Sequence, residues 1–164
     1  MLSVLAQVDA FRDLPPEGLA MLVALGQSRS FPTGGVLMRQ GDASESLYVV
    51  VNGRLKVERE VAGDKAPLLL AELGPGEVVG EMGVLDREPR SATVTAIRPT
   101  DAVELSAAAI GTTILRYPEV SAGLLRTISR RLRSSDELAE QIVRRVGSTV
   151  GRPQDEAAAD GTRR

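Results

Sequence analysis

The chain contains no histidine, no cysteine and no tryptophan among its 164 residues, and it has only two phenylalanines and two tyrosines. Without cysteine there is no disulfide, no thiolate metal site and no thiol nucleophile. Without histidine, the commonest general base and the commonest metal ligand are missing. These absences disfavour serine-triad hydrolases, zinc hydrolases and haem proteins with the usual ligands. The scarcity of aromatic residues disfavours a stacking surface for single-stranded nucleic acid.

The chain also lacks long apolar runs and an excess of charge. No stretch approaches the roughly 18 consecutive apolar residues of a membrane-spanning helix, and the first residues do not resemble a signal peptide. The formal net charge of −2 gives no overall attraction to nucleic acid or to an anionic membrane. We therefore expect a cytoplasmic globular protein with one domain, no metal, no cofactor and no membrane partner.

The order of sequence patterns predicts helices, then strands, then helices again. Residues 1–27 predict N-terminal helices, one near residues 4–11 and one starting at Pro15 and Pro16. Residues 28–106 predict a small β-barrel or sandwich, because short β-rich runs alternate there with glycine-rich turns. Asn52 and Gly53 give the strongest hairpin signal. The predicted strands are residues 30–31, 36–39, 47–51, 55–59, 68–73, 92–97 and 102–105.

Residues 107–146 predict two further helices, the second of which has Pro118 in its first turn, and residues 147–164 predict a flexible tail. The second helix has side chains at alternating spacings of three and four, an a/d seam of about three heptads. This seam indicates a homodimer through residues 125–146, although a single amphipathic helix lying on the barrel would also explain it. The seam residues are Leu125, Ile128, Leu132, Ser135, Ala139, Ile142 and Val146.

The stretch GEVVGEMGVLDREPRSATV, residues 76–94, places one carboxylate and one guanidinium around a glycine-bounded turn. Gly80 suits a sharp turn, and the residues after it predict one helical turn whose first N–H groups suit a phosphate. Arg90 can bind two phosphate oxygens, Ser91 can donate a hydroxyl hydrogen bond, and Glu81 suits a sugar hydroxyl. Together they predict a site for a phosphate joined to ribose. Taken singly, Glu81 would suit a helix cap and Arg90 would suit a surface ion pair.

The same stretch resembles the phosphate-binding cassette of cyclic nucleotide-binding domains, a family that includes the bacterial catabolite activators and the regulatory subunits of cAMP-dependent kinase. Residues 36–57 resemble the second to fourth strands of the family, and residues 8–22 resemble its N-terminal helices. The resemblance implies a mainly β, α+β fold: an eight-stranded jelly-roll β-barrel followed by a long C-terminal helix, within residues 1–146. The cassette residues that match are Gly80, Glu81, Met82, Gly83, Pro89, Arg90, Ser91 and Ala92.

The resemblance implies that Glu81 binds the ribose 2′-hydroxyl, that Arg90 and Ser91 bind the cyclic phosphate, and that backbone amides complete the site. Ser135 and Asp136 match a pair that contacts adenine in catabolite activators. This favours cAMP over cGMP, although guanine offers an amine as well. The implied set of ligand-binding residues is Gly80, Glu81, Met82, Gly83, Arg90, Ser91, Ala92, Ser135 and Asp136.

The function implied by the resemblance is that of a non-catalytic regulatory module, whose long helix moves on ligand binding and is read by an unidentified protein effector. Catabolite activators continue into a helix-turn-helix that this sequence does not contain, so we expect no direct DNA binding. One alternative is a dimerisation module whose nucleotide pocket is degenerate and unused. A phosphodiesterase lacks support, because no general-base or metal-ligand pattern is present.

Overall fold

The computed structural model describes the backbone of residues 2–63 and 65–150, and the side chains in these ranges except those of residues 2, 135 and 137–150. The chain divides into two compact units, Met1–Arg130 and Arg131–Arg164. The first unit contains all the strands of the described residues and the glycine-bounded turn. The candidate site around this turn therefore lies within the first unit.

The N-terminal region contains two helices, α1 (Leu2–Leu5) and α2 (Pro16–Leu25). The start of α2 is confirmed, with Pro15 at the N-cap and Pro16 in the first turn. The helix predicted over residues 4–11 is wrong beyond Leu5. Successive three-residue turns replace it, with the N–H of Phe11 donating to the carbonyl of Val8 at 2.8 Å. These turns let Val8 and Phe11 both reach the core, where each is at most 1% exposed.

Six strands form one antiparallel sheet among the described residues: β1 (Gln27–Phe31), β2 (Val36–Met38), β3 (Ser46–Arg59), β4 (Leu68–Leu73), β5 (Val78–Val79) and β6 (Thr93–Ser106). The order is β1-β6-β3-β4, with β2 paired to β6 and β5 paired to β3. The predicted mixed fold of helices and strands is confirmed, and the strand pairs of its sheet are antiparallel. The predicted eight strands and closed barrel are not found in the described part of the chain, since β3 and β6 each merge two predicted runs.

The hairpin predicted at Asn52 and Gly53 is wrong. Strand β3 continues through both residues, and both of its halves pair with β6, with shifts of register on either side of Asn52. Gly53 has φ of 94°, and a Cβ there would collide with the carbonyl of Pro99 and lie 2.6 Å from Cα of Thr100. The Asn-Gly pair therefore forms a bulge, where glycine lets two strands approach closely, instead of a chain reversal.

Alternate side chains of β3 enter two separate cores. Leu47 and Val49 are fully buried against the N-terminal segment and the helices. Tyr48 and Val50 face the other side of the sheet and pack with residues of β2 and β6. This alternation fixes the face of Ser46 and Tyr48, which belongs to the interior of the strand region.

Three helices follow along the chain: α3 (Glu81–Asp86), α4 (Ala107–Arg116) and α5 (Glu119–Val150). The Oγ of Ser106 caps α4 by accepting a hydrogen bond from the N–H of Ala109 at 3.1 Å. Helix α5 runs past the predicted end near residue 146, and the remainder of the predicted tail, residues 151–164, lies outside the described residues. Within the described chain, none of the helices has the length and apolar character needed to cross a membrane.

The first turns of α5 pack against the N-terminal segment. Gly123 lies so close to Ala10 that a Cβ at position 123 would collide with the Ala10 carbonyl oxygen. On the surface beside this contact, Arg126 pairs with Asp13 at 2.5 Å, and Arg130 pairs with Asp9 at 2.7 Å. Up to Arg130, α5 is thus part of the first compact unit.

Candidate functional site

The glycine-bounded stretch forms the predicted helical turn, α3, directly after β5. Gly80 is the N-cap of α3 and has a left-handed φ of 86°. A Cβ added to Gly80 would lie 2.5 Å from Nη1 of Arg90. Gly80 therefore meets two requirements, since its φ strains any other residue and its missing side chain leaves room for the guanidinium.

Arg90 is the most buried cation near this turn, with 7% of its surface exposed. Its Nη1 donates to the carbonyl of Gly80 at 3.0 Å, and its Nη2 donates to the carbonyl of Ser46 at 2.5 Å. Its Nε is also buried, and no described protein group accepts a hydrogen bond from it. A guanidinium carries five N–H donors in a planar fork. Two carbonyl contacts thus fix its orientation, and Nε–H is left without an acceptor among the described residues.

Burial lowers the pKa of the Arg90 guanidinium below its ordinary value. The negative charges of Asp42, Glu104 and Glu45, and the Tyr48 phenol, act in the opposite direction. Because the ordinary pKa of arginine lies far above neutral pH, Arg90 remains a permanent positive charge. A buried permanent charge of this kind is suited to binding an anion.

The loop between β2 and β3 holds the backbone of Arg90. The N–H of Gly41 donates to the carbonyl of Arg90 at 2.9 Å, and the N–H of Arg90 donates to the carbonyl of Asp42 at 2.8 Å. In the same loop, the Oγ of Ser44 is buried without a described hydrogen-bond partner. A Cβ at Gly83, in the first turn of α3, would collide with that Oγ and lie 2.5 Å from Cβ of Ser44.

Sequence reasoning did not find the roles of Asp42, Ser44 and Ser46. They lie in the segment QGDASES, which has the composition of an ordinary polar turn. Two of the contacts with Arg90 use main-chain carbonyls, which carry no side-chain signature. Only the general resemblance of residues 36–57 to the family could have pointed to this loop.

The other cassette residues differ widely in exposure. Glu81, the first residue of α3, is 1% exposed, and Gly83 and Ala92 are also buried. Met82 is 47% exposed, and Ser91 lies on the surface. The structure thus brings the cassette residues together around α3. Their contacts with a ligand stay predictions.

Ser135 and Asp136, the predicted adenine contacts, lie on α5 in the second compact unit. The Asp136 side chain is exposed, and the side chain of Ser135 is outside the described residues. Their contact with a base therefore stays a prediction.

A polar cavity of about 360 Å³ adjoins Arg90 at the end of the sheet that contains β1. Among the predicted site residues, Arg90 is part of its lining, whereas Glu81 and Ser91 are not. Arg90 thus borders both the α3 turn and this cavity. The lining consists of Leu25, Gln27, Arg29, Leu37, Met38, Asp42, Ala43, Glu45, Ser46, Tyr48, Arg90, Glu104 and Ser106.

Three residues of the cavity lining, Arg29, Tyr48 and Glu104, are joined by hydrogen bonds. Nε of Arg29 donates to Glu104 at 2.6 Å, and Oη of Tyr48 donates to the other carboxylate oxygen at 3.0 Å. Burial alone would raise the pKa of Glu104, but hydrogen bonds from Arg29, Ser46 and Tyr48 and the charge of Arg29 together hold it below its ordinary value. The carboxylate therefore stays ionised beside the Arg90 charge at neutral pH.

The part of the chain that the structure describes contains no cluster of three or more acidic side chains that could hold a metal ion.

Comparison with known proteins places these features in a family. The family described as cyclic nucleotide-binding domain matches residues 28–117. The CRP-like cAMP-activated global transcriptional regulator of Mycobacterium tuberculosis is 32% identical over 150 residues, covering 91% of this chain and 66% of that protein. The Cyclic AMP receptor protein of Thermus thermophilus is 36% identical over 126 residues, covering 77% of this chain and 58% of that protein.

Among solved structures, the crystal structure of the Thermus thermophilus Catabolite Activator Protein matches with a TM-score of 0.73 and 33% identity, covering 82% of this chain and 63% of that one. The chain thus spans less than two thirds of the length of each of these three relatives. Because the family match covers residues 28–117, more than half of the sequence, the chain belongs to the cyclic nucleotide-binding domain family.

Proposed function

We propose that this chain binds a cyclic nucleotide at the α3 turn and acts as a non-catalytic regulatory module. The observation that carries the proposal is the state of Arg90, a buried guanidinium oriented by two carbonyls with a buried Nε that no described protein group satisfies. A buried donor without a partner costs about 1–3 kcal/mol, so a site that keeps one is expected to use it. A phosphate group, like a carboxylate, offers oxygen acceptors that match the planar fork of a guanidinium.

The remaining cassette residues have roles that follow from their chemistry. Ser91, which is exposed next to Arg90, donates its hydroxyl to the same phosphate. Glu81, the first residue of α3, accepts a hydrogen bond from the ribose 2′-hydroxyl. Membership of the family supports these roles, because this chain retains both the Glu and the Arg of the cassette.

We favour cAMP over cGMP as the ligand. Two relatives that cover most of this chain are named for cAMP, one as cAMP-activated and one as a cyclic AMP receptor. Ser135 and Asp136 offer hydroxyl and carboxylate acceptors to the exocyclic amine of adenine. Guanine also carries an amine, so the preference is one of degree and the measured ratio of the two dissociation constants decides it.

The regulatory step in this proposal is a displacement of α5 when the nucleotide binds. The start of α5 is anchored by Val120 and Leu124, which are fully buried in the first unit. Leu125 and Leu132, in contrast, expose 57% and 62% of their surface, which suits a contact with a second copy or an effector. A ligand that prefers one placement of α5 would shift the population between two states that a partner distinguishes.

The test is isothermal titration calorimetry with cAMP and cGMP on the wild type, Arg90→Ala and Arg90→Lys. Micromolar or tighter binding, about −8 kcal/mol or better, is expected for the wild type. Arg90→Ala should lose about 2–5 kcal/mol, because the phosphate would have no charged partner. Arg90→Lys should also bind weakly, since lysine keeps the charge but not the planar fork.

Arg98→Ala serves as the control, because Arg98 is an exposed arginine on β6 outside the cassette. It should bind like the wild type. An affinity of Arg90→Ala within threefold of wild type would refute the assigned role. No saturable binding of either nucleotide by the wild type would instead support the second candidate, a dimerisation module with an unused pocket, for which the exposed Leu125 and Leu132 are the favouring observation.

A further inference from the structure

Two buried side-chain atoms in the described chain have no hydrogen-bond partner, Nε of Arg90 and Oγ of Ser44. Native proteins satisfy nearly all buried polar groups, so each exception calls for an explanation. Arg90 is explained by the proposed phosphate contact. Ser44 belongs to neither the cassette nor the predicted adenine pair, and it remains to be explained.

Both atoms belong to side chains that border the first turn of α3. Arg90 contacts Gly80 so closely that a Cβ at position 80 would lie 2.5 Å from Nη1. Ser44 contacts Gly83 in the same manner, since a Cβ at position 83 would collide with the Ser44 hydroxyl. The turn that carries Glu81 and Met82 is therefore held at its two glycines by two polar side chains.

These two side chains are joined to each other through the backbone. The reciprocal hydrogen bonds of Gly41 and Asp42 with Arg90, at 2.9 and 2.8 Å, fix the start of the Ser44 loop. At its other end, the carbonyl of Glu45 accepts from the N–H of Ala107 at 2.8 Å, and the carbonyl of Ser46 accepts from Arg90 Nη2 at 2.5 Å. Hydrogen bonds to Arg90 are thus found at both ends of the loop that carries Ser44.

From this geometry we infer that Ser44 is a positioning residue of the nucleotide site, acting on the ligand through Gly83 and α3. The inference rests on the proposed function and deepens it. The Ser44 hydroxyl sets the distance between the loop and the first turn of α3, and with it the position of Glu81 and the amides of Met82 and Gly83. The hydroxyl gains its hydrogen-bond partner when α3 and the loop rearrange around the bound nucleotide.

This role predicts changes of opposite direction in stability and in affinity. Ser44→Ala removes a buried hydroxyl that no described group satisfies, so the protein without ligand should be as stable as the wild type or more stable. The same variant lacks the group that becomes satisfied on binding, so its affinity for the nucleotide should fall. A residue that merely fills space would lower both quantities together.

The experiment measures the midpoint of thermal unfolding without ligand and the dissociation constant for cAMP by calorimetry, on the wild type, Ser44→Ala and Ser28→Ala. Ser28 is an exposed serine on β1 and should leave both quantities unchanged. The thermal unfolding midpoint of Ser44→Ala is expected to be no lower than that of the wild type. Its affinity for cAMP is expected to be at least fivefold weaker. Arg90→Ala, measured alongside, confirms that the heat reports the cassette.

Two results would overturn the inference while the proposed function stands. In the first, Ser44→Ala binds within twofold of the wild type. In the second, its unfolding midpoint and affinity both fall, which indicates ordinary packing. If the wild type binds neither cAMP nor cGMP, the proposed function fails and the inference fails with it, and that outcome is distinct because the wild type itself gives no saturable heat.

Discussion

At the scale of single residues, the geometry around α3 depends on the absence of a side chain at two glycines. Gly80 and Gly83 have no side chains where the guanidinium of Arg90 and the hydroxyl of Ser44 lie. Arg90 can therefore be buried between a carbonyl of the cassette and a carbonyl of β3, a position that no residue with a Cβ at 80 would allow. The planar fork is thus oriented without a ligand, which would reduce the entropy lost in the phosphate contact that we propose.

Gly80→Ala should destabilise the protein and weaken nucleotide binding. The substitution combines a strained positive φ with a Cβ that would lie 2.5 Å from Arg90 Nη1. We expect a loss of about 1–3 kcal/mol in the free energy of unfolding from the backbone strain alone, and a further loss from the contact. Urea denaturation gives the free energy of unfolding, and calorimetry gives the affinity for cAMP.

Gly76→Ala is the matched control for this variant, because Gly76 has nearly the same φ, 83°, and no atom within 4 Å of its hypothetical Cβ. It reports the cost of positive φ without a contact. Equal losses of stability in the two variants, with wild-type affinity in both, would mean that the close approach of Gly80 and Arg90 contributes neither to stability nor to binding.

The sequence was informative about the residues of the cassette, but it did not indicate the residues that contact them from other parts of the chain. The turn at Gly80 and the short helix after it could be predicted, because local chemistry and the family pattern both pointed to them. Ser44 and the carbonyl of Ser46 could not, because they meet α3 and Arg90 only through the fold. A residue distant in sequence that acts through a main-chain oxygen or a van der Waals contact leaves no local pattern.

At the scale of secondary-structure elements, β3 and β6 show where local signals mislead. An Asn-Gly pair between two apolar runs normally predicts a hairpin. Here both halves of β3 find their partner in the same long strand, β6, so the pair accommodates a change of register instead. The long-range pairing of β3 with β6 outweighed the local turn preference. The boundaries of β4, in contrast, agree with the predicted residues 68–73.

Gly123→Ala tests the packing of α5 on the N-terminal segment. A Cβ at Gly123 would collide with the carbonyl oxygen of Ala10, so the helix must move outward. We expect a net loss of about 1–3 kcal/mol in the free energy of unfolding from overpacking, even though alanine is favoured over glycine within a helix by up to about 1 kcal/mol. Chemical denaturation measures this loss.

Asp13→Asn provides the comparison at the same junction. It breaks the ion pair with Arg126, but both side chains are more than one third exposed, so the loss should stay below about 1 kcal/mol. A larger loss for Asp13→Asn than for Gly123→Ala would mean that charge, and not close backbone packing, joins α5 to the N-terminal segment.

At the scale of the whole molecule, the chain presents apolar surface on α5 that its described residues leave uncovered. Leu125 and Leu132 belong to the predicted a/d seam and expose 57% and 62% of their surface. Leu124, next to the seam, is fully buried in the first unit. Leu124 thus packs in the core of the first unit, whereas Leu125 and Leu132 remain available for contact with a second copy.

Leu132→Glu should therefore convert a dimer into monomers. In a parallel seam the two introduced carboxylates would face each other across the interface, where burial of unpaired like charges is strongly unfavourable. Sedimentation equilibrium over a range of concentrations, with and without cAMP, should give a dimer mass for the wild type and a monomer mass for the variant.

Leu115→Glu is the control for added charge, because Leu115 on α4 is 87% exposed and lies outside the seam. It should sediment like the wild type. If the wild type is monomeric at all concentrations with cAMP present, or if Leu132→Glu remains dimeric, the seam is not a dimer interface. The exposed leucines would then be better explained as a surface for a different protein, and a ligand-dependent change in α5 would have to be read by that partner and not by a second copy.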